Sequence, residues 1–184
     1  LSPLRGMSLN SAILMYNRNL SDLSPLHGMP LTHLDVRRTK VVDLKPLRGM
    51  PLKYLDLGTT PVSDLSPLEG MSLTFLHLMD TNVSDLSPLK KMPLNFLSIR
   101  ATRVVDLTDL HAMPLEIFDC NNTAVSSLEP LRGMKPSRLT VSQTKVSDLS
   151  PLQGMPLTYL NIALTLVTDL SALKGMKLES LDIH

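Results

Sequence analysis

The segment Leu52–Ser72 reads LKYLDLGTTPVSDLSPLEGMS, and almost every other part of the chain repeats it. Six further copies have the same 21 positions, and one looser copy of 22 residues precedes them. A fixed period of this length indicates a solenoid, in which each copy forms one coil and packs only against its neighbours. The other copies are Leu9–Pro30, Leu31–Pro51, Leu73–Pro93, Leu94–Pro114, Leu115–Lys135, Pro136–Pro156 and Leu157–Lys177.

Within one copy, the hydrophobic pattern predicts a short strand, a turn and a single turn of helix. In Tyr54–Leu57 the two leucines face the core and the alternate residues face solvent, because side chains of a strand alternate. Gly58–Pro61 has the composition of a turn that ends the strand. Ser66-Pro67 is typical of a helix start, with a hydroxyl available for capping. The next strand follows so closely that only a 3₁₀ turn or one α-helical turn fits.

Seven positions of the repeat, numbered 1, 4, 6, 11, 14, 17 and 20, are predicted to form the core. In the seven 21-residue copies, 48 of these 49 sites hold Leu, Ile, Val, Met, Phe or Cys, and Pro136 is the exception. None of the sites is charged. A single coil cannot fold alone, so these positions predict one continuous core shared by all coils.

The spacing L-x-x-L-x-L-x-x-T-x-V-x-D-L-x-P-L-x-G-M resembles the leucine-rich repeat of bacterial, internalin-like proteins. The resemblance implies an α/β fold, a right-handed leucine-rich-repeat solenoid with a parallel sheet on its concave face and loops and short 3₁₀ turns on its convex face. It also implies binding of a protein or peptide, usually through the concave face. The chain departs from the family at position 9, where threonine replaces the usual asparagine in the 21-residue copies, and at position 20, where methionine replaces leucine.

The repeats predict a single leucine-rich-repeat domain over residues 1–184, with eight full repeats in 9–177 and partial repeats at 1–8 and 178–184. Both ends cut through a repeat, so we expect a fragment of a longer array whose uncapped sheet edges allow end-to-end self-association. No apolar run reaches the ~20 residues of a membrane span. A net charge of +1 gives no field that favours nucleic acid.

Two polar columns are predicted to be structural. Aspartates at position 13 precede the helix start by two residues and should accept backbone amide bonds there. Threonines at position 9 should bond to the backbone of neighbouring turns. Cys120 stands at an inward position and is predicted to be a buried free thiol. The columns are Asp22, Asp43, Asp64, Asp85, Asp106, Asp148 and Asp169, and Thr39, Thr60, Thr81, Thr102, Thr123, Thr144 and Thr165.

Two departures from the repeat suggest local distortion. The extra residue after the first strand, near Asn17–Leu20, predicts a bulge or a shifted strand edge. Pro136 opens the sixth 21-residue copy and is expected to shorten or weaken its strand, because proline cannot donate to a ladder. The zone Leu115–Arg138 breaks several repeat rules, which is consistent with either a functional site or sequence drift.

Outward positions of the strands supply the candidate site. Position 3 carries aromatic residues in three successive copies, which either stabilise the sheet by cross-strand packing or form an apolar contact surface with a charged rim. We predict that the concave face binds a protein or peptide partner. The predicted ligand-binding residues are His33, Asp35, Arg37, Tyr54, Asp56, Phe75, His77, Phe96, Arg100, Ile117, Asn121 and Tyr159.

Other functions are less well supported by the residues. Asp35, Asp56 and His77 form a column, but a spacing of ~4.8 Å and parallel side chains are unsuitable for one metal ion, so no metal or cofactor is predicted. No strong catalytic motif occurs, and we predict a non-enzyme. The basic patch Arg37–Lys40 is either solvated or a contact for an acidic partner. The alternative function is the sensor or scaffold arm of a larger signalling enzyme such as a bacterial Ser/Thr kinase.

Overall fold

Nine short parallel strands stack in chain order into one open sheet, in a computed structural model that describes residues 1–184. Each strand has three residues and pairs in register with the strand of the next coil. The sheet confirms the predicted solenoid. The strands are β1 (Ser11–Ile13), β2 (His33–Asp35), β3 (Tyr54–Asp56), β4 (Phe75–His77), β5 (Phe96–Ser98), β6 (Ile117–Asp119), β7 (Arg138–Thr140), β8 (Tyr159–Asn161) and β9 (Ser180–Asp182).

Each coil also contains one 3₁₀ turn of three residues, and the structure contains no α-helix. None of these short turns has the length or apolar character that crossing a bilayer requires. The sequence predicted either a 3₁₀ turn or one α-helical turn in each repeat. That prediction is confirmed, and the turn is 3₁₀ in every coil. The turns are Ser2–Leu4, Ser24–Leu26, Lys45–Leu47, Ser66–Leu68, Ser87–Leu89, Thr108–Leu110, Glu129–Leu131, Ser150–Leu152 and Ser171–Leu173.

The core is a single cluster of 48 buried residues, all at the seven inward repeat positions. Cys120 belongs to it, and burial raises the pKa of its thiol far above the ordinary value. The first and last complete repeats depart from the prediction: Leu9, Leu14 and Leu20 of the first repeat are half-buried, and the last repeat is the more exposed of the two. There Val167, Leu173 and Met176 are half-buried, and Leu170 is exposed, because the coil that follows contributes no 3₁₀ turn to cover them.

Neither predicted distortion affects a strand. The extra residue of the first copy lies in the turn after β1, where the Leu20 amide donates to the Asn17 carbonyl at 2.9 Å. As a result, β1 still pairs in register with β2, so the prediction of a bulge is wrong. β7 keeps three residues and its register despite Pro136. The residue that opens a repeat donates no backbone hydrogen bond in any copy, so proline at 136 removes none.

The Ser-Pro turns are held by the preceding aspartate. In each of the seven units with Asp at position 13, its Oδ1 accepts the amide N–H two residues later, as from the Ser66 amide to Asp64 at 2.8 Å. This confirms the structural role of the column. The capping role predicted for the serine hydroxyl is wrong, since Ser87 Oγ instead donates to Asp85 Oδ2 at 2.9 Å.

The threonine column bonds to backbone, as predicted, but within its own coil rather than to a neighbouring one. Each of the seven hydroxyls donates to the carbonyl three residues earlier, as from Thr81 to Leu78 at 2.8 Å. Asn17, the one amide in this column, makes the same bond to the Leu14 carbonyl. Threonine therefore replaces asparagine without loss of the hydrogen bond that closes the turn.

Repeat position 19 requires a left-handed backbone, with φ of +73° at Gly154 and +63° and +61° at the non-glycine residues Lys91 and Ala112. A residue with a Cβ in this region is strained by about 1–2 kcal/mol. Lys91→Gly and Ala112→Gly should each raise the free energy of unfolding by about 0.5–1 kcal/mol in urea denaturation. As the reverse control, Gly154→Ala should lower it, although its Cβ would meet no atom within 4 Å. A loss of stability in either glycine variant would contradict this account.

Candidate functional site

Four aromatic rings form one stack on the solvent side of β2–β5, and we call this stack of His33, Tyr54, Phe75 and Phe96 the ring ladder. The in-register strands place these position-3 residues directly opposite one another. Successive ring centroids are 3.9, 4.2 and 4.1 Å apart, with interplanar angles of 7°, 12° and 6°. Since the strands themselves are ~4.8 Å apart, the rings lean together until their faces touch.

The ring ladder presents ring edges to solvent. All four side chains are half-buried, and the inner rings of Tyr54 and Phe75 have a neighbour against both faces, so the exposed part of these two rings is the rim. Aromatic rings carry partial negative charge on their faces and partial positive charge at their edges. The solvent side of the ring ladder is therefore an apolar ridge of weakly positive potential.

The row continues beyond the ring ladder with Ile117 on β6, Arg138 on β7 and Tyr159 on β8. The Arg138 guanidinium carbon lies 4.4 Å from the centroid of the Tyr159 ring, which is a cation–π contact. The sequence-based prediction omits Arg138 from the site residues and does not group His33 with the aromatic residues of this row. The shared repeat position was the signal that could have placed both residues in it.

A second row, at repeat position 5, begins with two carboxylates beneath a guanidinium. Arg37 Nη2 lies 2.9 Å from Asp35 Oδ2, and Arg37 Nη1 lies 3.6 Å from Asp56 Oδ2. The two acidic side chains are only 4% and 2% exposed, whereas that of Arg37 is 40% exposed. The expectation that both aspartates line an exposed rim is therefore wrong. Arg37 also occupies the space between the carboxylates that a metal ion would need.

An acid is favoured at position 5 because it satisfies a backbone donor that the sheet leaves free. Asp56 Oδ1 accepts the Gly58 amide at 2.9 Å, and Asp119 Oδ1 accepts the Asn121 amide at 3.0 Å. Asn161 does the same for Ala163 at 2.9 Å. Wherever position 5 is aspartate, its side chain closes the turn after the strand, which explains why these carboxylates point along the sheet and not into solvent.

His77 completes this network. Its Nδ1 lies 3.0 Å from Asp56 Oδ1, and an ionised carboxylate only accepts, so the imidazole N–H donates. Burial by itself would raise the pKa of Asp56, but the bonds from His77 and Gly58 and the charge of Arg37 outweigh it and lower that pKa. Gly58 leaves the room for the ring, since a Cβ there would lie 3.2 Å from His77 Nδ1.

The carboxyl-terminal part of the row is held by hydrogen bonds without a cation. Asp119 accepts the hydroxyls of Ser98 at 3.1 Å and Thr140 at 2.8 Å, in addition to the Asn121 amide. The Asn121 side chain in turn accepts the Ser142 amide at 2.7 Å. Arg100 is different, because its side chain is exposed and makes no ion pair or hydrogen bond. Of the predicted polar site residues, Arg100 is thus free to meet a partner.

Surface depressions lie on the side of the 3₁₀ turns. Two of them, with volumes of about 510 and 690 Å³, meet around His111. Their walls are turn residues and flexible basic side chains such as Lys91 and Lys135, without a convergent set of polar groups that would fix a small molecule. The strand face instead carries the ring ladder across four adjacent strands, an extended surface suited to a macromolecular partner.

No protein-family model and no curated protein matches the chain. Solved structures of internalins from Listeria monocytogenes do. Internalin InlF has a TM-score of 0.74 and 28% identity over 90% of this chain, which spans 58% of that protein's chain. Internalin C2 has a TM-score of 0.89 and 22% identity over 95% of this chain and 80% of its own. The functional domain of InlJ has a TM-score of 0.69 and 23% identity over 94% of this chain, which spans 38% of that chain.

The repeat spacing, the open parallel sheet and the single 3₁₀ turn of each coil therefore agree with these solved structures. The chain has a leucine-rich-repeat solenoid fold and is similar to the solved internalin structures.

Proposed function

We propose that this chain is a non-catalytic recognition scaffold that binds a protein or peptide through its strand face. The observation that carries the proposal is the ring ladder, an unbroken stack of four half-exposed rings on β2–β5. Aromatic side chains surrounded by charged groups are the usual energetic centre of protein interfaces. The internalin-like fold supports a scaffold role in general.

The polar groups next to the ring ladder also support a binding role over a catalytic one. The imidazole of His77 is bonded to Asp56, and that carboxylate also holds Gly58 and Arg37. Asp119 likewise accepts hydrogen bonds from three donors. These contacts fix the side chains in place and stiffen the face on which the rings stand.

A peptide selection followed by ring removal tests the proposal. Random peptides displayed on phage are selected against the intact chain, and the affinity of the selected peptides is measured for Phe75→Ala and Phe96→Ala. Affinity should fall more than tenfold in each variant, a loss of about 1.4 kcal/mol or more. Because each stacked pair contributes about 0.5–1.5 kcal/mol, Phe75→Ala should also lower the melting temperature modestly, and more than Phe96→Ala.

Glu69→Ala and Gln153→Ala supply the matched control, since both side chains are exposed beside the 3₁₀ turns and make no side-chain hydrogen bond. These variants should keep both affinity and melting temperature. Peptides that bind the Phe75 and Phe96 variants as well as the wild type, and lose affinity in the control variants, would place the binding surface on the opposite side and refute the proposal.

A further inference from the structure

The edge of the strand face where each strand ends carries unpaired cations. Repeat positions 7, 8 and 10 lie at this edge, and the only acid there in the seven 21-residue copies is Asp80. Arg37 is also at this edge but is neutralised by Asp35 and Asp56. The remaining cations are exposed and form no ion pair within the chain. We call them the basic edge: Arg38, Lys40, Arg100, Arg103 and Lys145.

The basic edge and the ring ladder lie side by side and have potentials of the same sign. On β5, Phe96 begins the strand and Arg100 follows its end by two residues. The exposed ring edges are weakly positive, because the negative ring faces are covered by the stacked neighbours. A partner that lies across β5 therefore meets the apolar, weakly positive ring ladder and then the exposed cations Arg100 and Arg103.

Apart from Asp80, which is exposed at the edge after β4, the acids nearby do not cancel this potential at the surface. Asp35 and Asp56 are buried and paired with Arg37 and His77. Asp119 is half-buried and accepts three hydrogen bonds. The position-13 aspartates follow the edge by at least three residues, and each carboxylate is turned toward the amide of its own 3₁₀ turn.

The stacking also decides between classes of anionic partner. Nucleobases and sugars bind aromatic residues mainly through ring faces. In the ring ladder the faces of Tyr54 and Phe75 are both covered by neighbouring rings, at centroid distances of 3.9 to 4.2 Å. Apolar side chains and carboxylate oxygens, in contrast, pack well against ring edges. The geometry favours an acidic peptide over a single-stranded nucleic acid.

We propose that the partner presents an extended acidic segment, with apolar side chains against the ring ladder and carboxylates against the basic edge. This inference rests on the proposed function of the strand face and adds the chemistry of the partner. Nine strands ~4.8 Å apart cover about 38 Å, and an extended segment rises ~3.3 Å per residue, so about twelve residues match the sheet.

The test compares peptide selections from a random library about twelve residues long on four forms of the intact chain. The forms are the wild type, Arg100→Ser/Arg103→Ser, Arg100→Glu/Arg103→Glu, and the control Lys174→Ser/Lys177→Ser, which removes the same charge from exposed positions outside the strand face. Wild-type and control selections should be enriched in Asp and Glu together with apolar residues. The serine variant should lose the acidic enrichment, and the glutamate variant should favour Lys and Arg.

Affinities of the selected acidic peptides should fall about tenfold in the serine variant and should fall with added salt, since exposed charge pairs are screened. Peptides that need Phe75 and Phe96 but show no acidic enrichment would overturn this inference and leave the proposed function intact. Peptides indifferent to those two rings would instead refute the proposed function. Displacement of the acidic peptides by an oligothymidylate that binds more tightly would show a nucleic-acid site and overturn the inference.

Discussion

Leu76→Ala is expected to lower the free energy of unfolding by about 2–5 kcal/mol. Leu76 is fully buried in β4 and lies between Leu55 of β3 and Leu97 of β5. Truncation removes the apolar surface of the side chain from the core and leaves a cavity as well. The adjacent strands are held in register by their own backbone bonds, so the cavity cannot close without moving several coils. We therefore expect a loss in the upper half of this range.

Thr81 in the same coil is the comparison, because its hydroxyl donates one buried hydrogen bond to the Leu78 carbonyl. Thr81→Val keeps the side-chain shape and removes this bond, which should cost on the order of 1 kcal/mol. Both variants are measured by urea denaturation, with the free energy extrapolated at a common slope. Equal losses from the two substitutions would show that the threonine column contributes more than one bond per coil.

The core could be predicted from the sequence because each inward residue is surrounded by copies of itself. Once the period is known, Leu76 has Leu55 and Leu97 as neighbours without any further information. The same logic places the aspartates of the loops, since Asp64 and the Ser66 amide are only two residues apart. These interactions are local or repeat at a fixed interval, and periodicity alone specifies them.

The state of the outward side chains depends on differences between neighbouring coils, which periodicity does not specify. Asp56 is buried because Arg37 precedes it by one coil and His77 follows it by one coil. His77 in turn needs the space that Gly58 leaves open. The sequence places all these residues on one face, but their burial follows from side-chain size and charge across three strands. For this reason the site was predicted as a set of positions and its internal pairing was missed.

Asp56→Ala is expected to lower the free energy of unfolding at neutral pH by about 2–4 kcal/mol, because removal of a buried partner leaves other groups without their bonds. The substitution deprives His77 and the Gly58 amide of their acceptor and leaves Arg37 with Asp35 alone. We place the loss below the upper limit for buried pairs, since the Arg37 side chain is 40% exposed and water screens it.

Asp56→Asn separates the charge from the hydrogen bond. An asparagine oxygen can still accept the Gly58 amide, so this variant should lose only the interactions that require a negative charge. Its cost should therefore be smaller than that of Asp56→Ala at pH 7. Glu69→Gln is the control, because Glu69 is exposed and has no bonded partner, and its effect should stay within about 0.5 kcal/mol.

The difference between the wild type and Asp56→Asn should depend on pH with a definite sign. The folded-state pKa of Asp56 is lowered: burial opposes the charged form, but the bonds from His77 and Gly58 and the charge of Arg37 outweigh that effect. A lowered pKa means that the charge stabilises the fold above the unfolded-state value of about 4, and that this contribution is lost as the pH falls through the folded-state value. Urea denaturation of both proteins between about pH 7 and pH 3 measures the difference directly.

The pH series must be analysed as a difference, because other aspartates of the chain also have lowered pKa values through bonds to the 3₁₀ turns, as at Asp64 and Asp148. The wild type and Asp56→Asn share that acid-induced loss, and it cancels when one is subtracted from the other. We expect the free energies of unfolding of the wild type and Asp56→Asn to differ at pH 7 and to converge below pH ~4. A difference that stays constant across the range would show that the charge of Asp56 contributes nothing, and that the carboxylate acts only as an acceptor for Gly58.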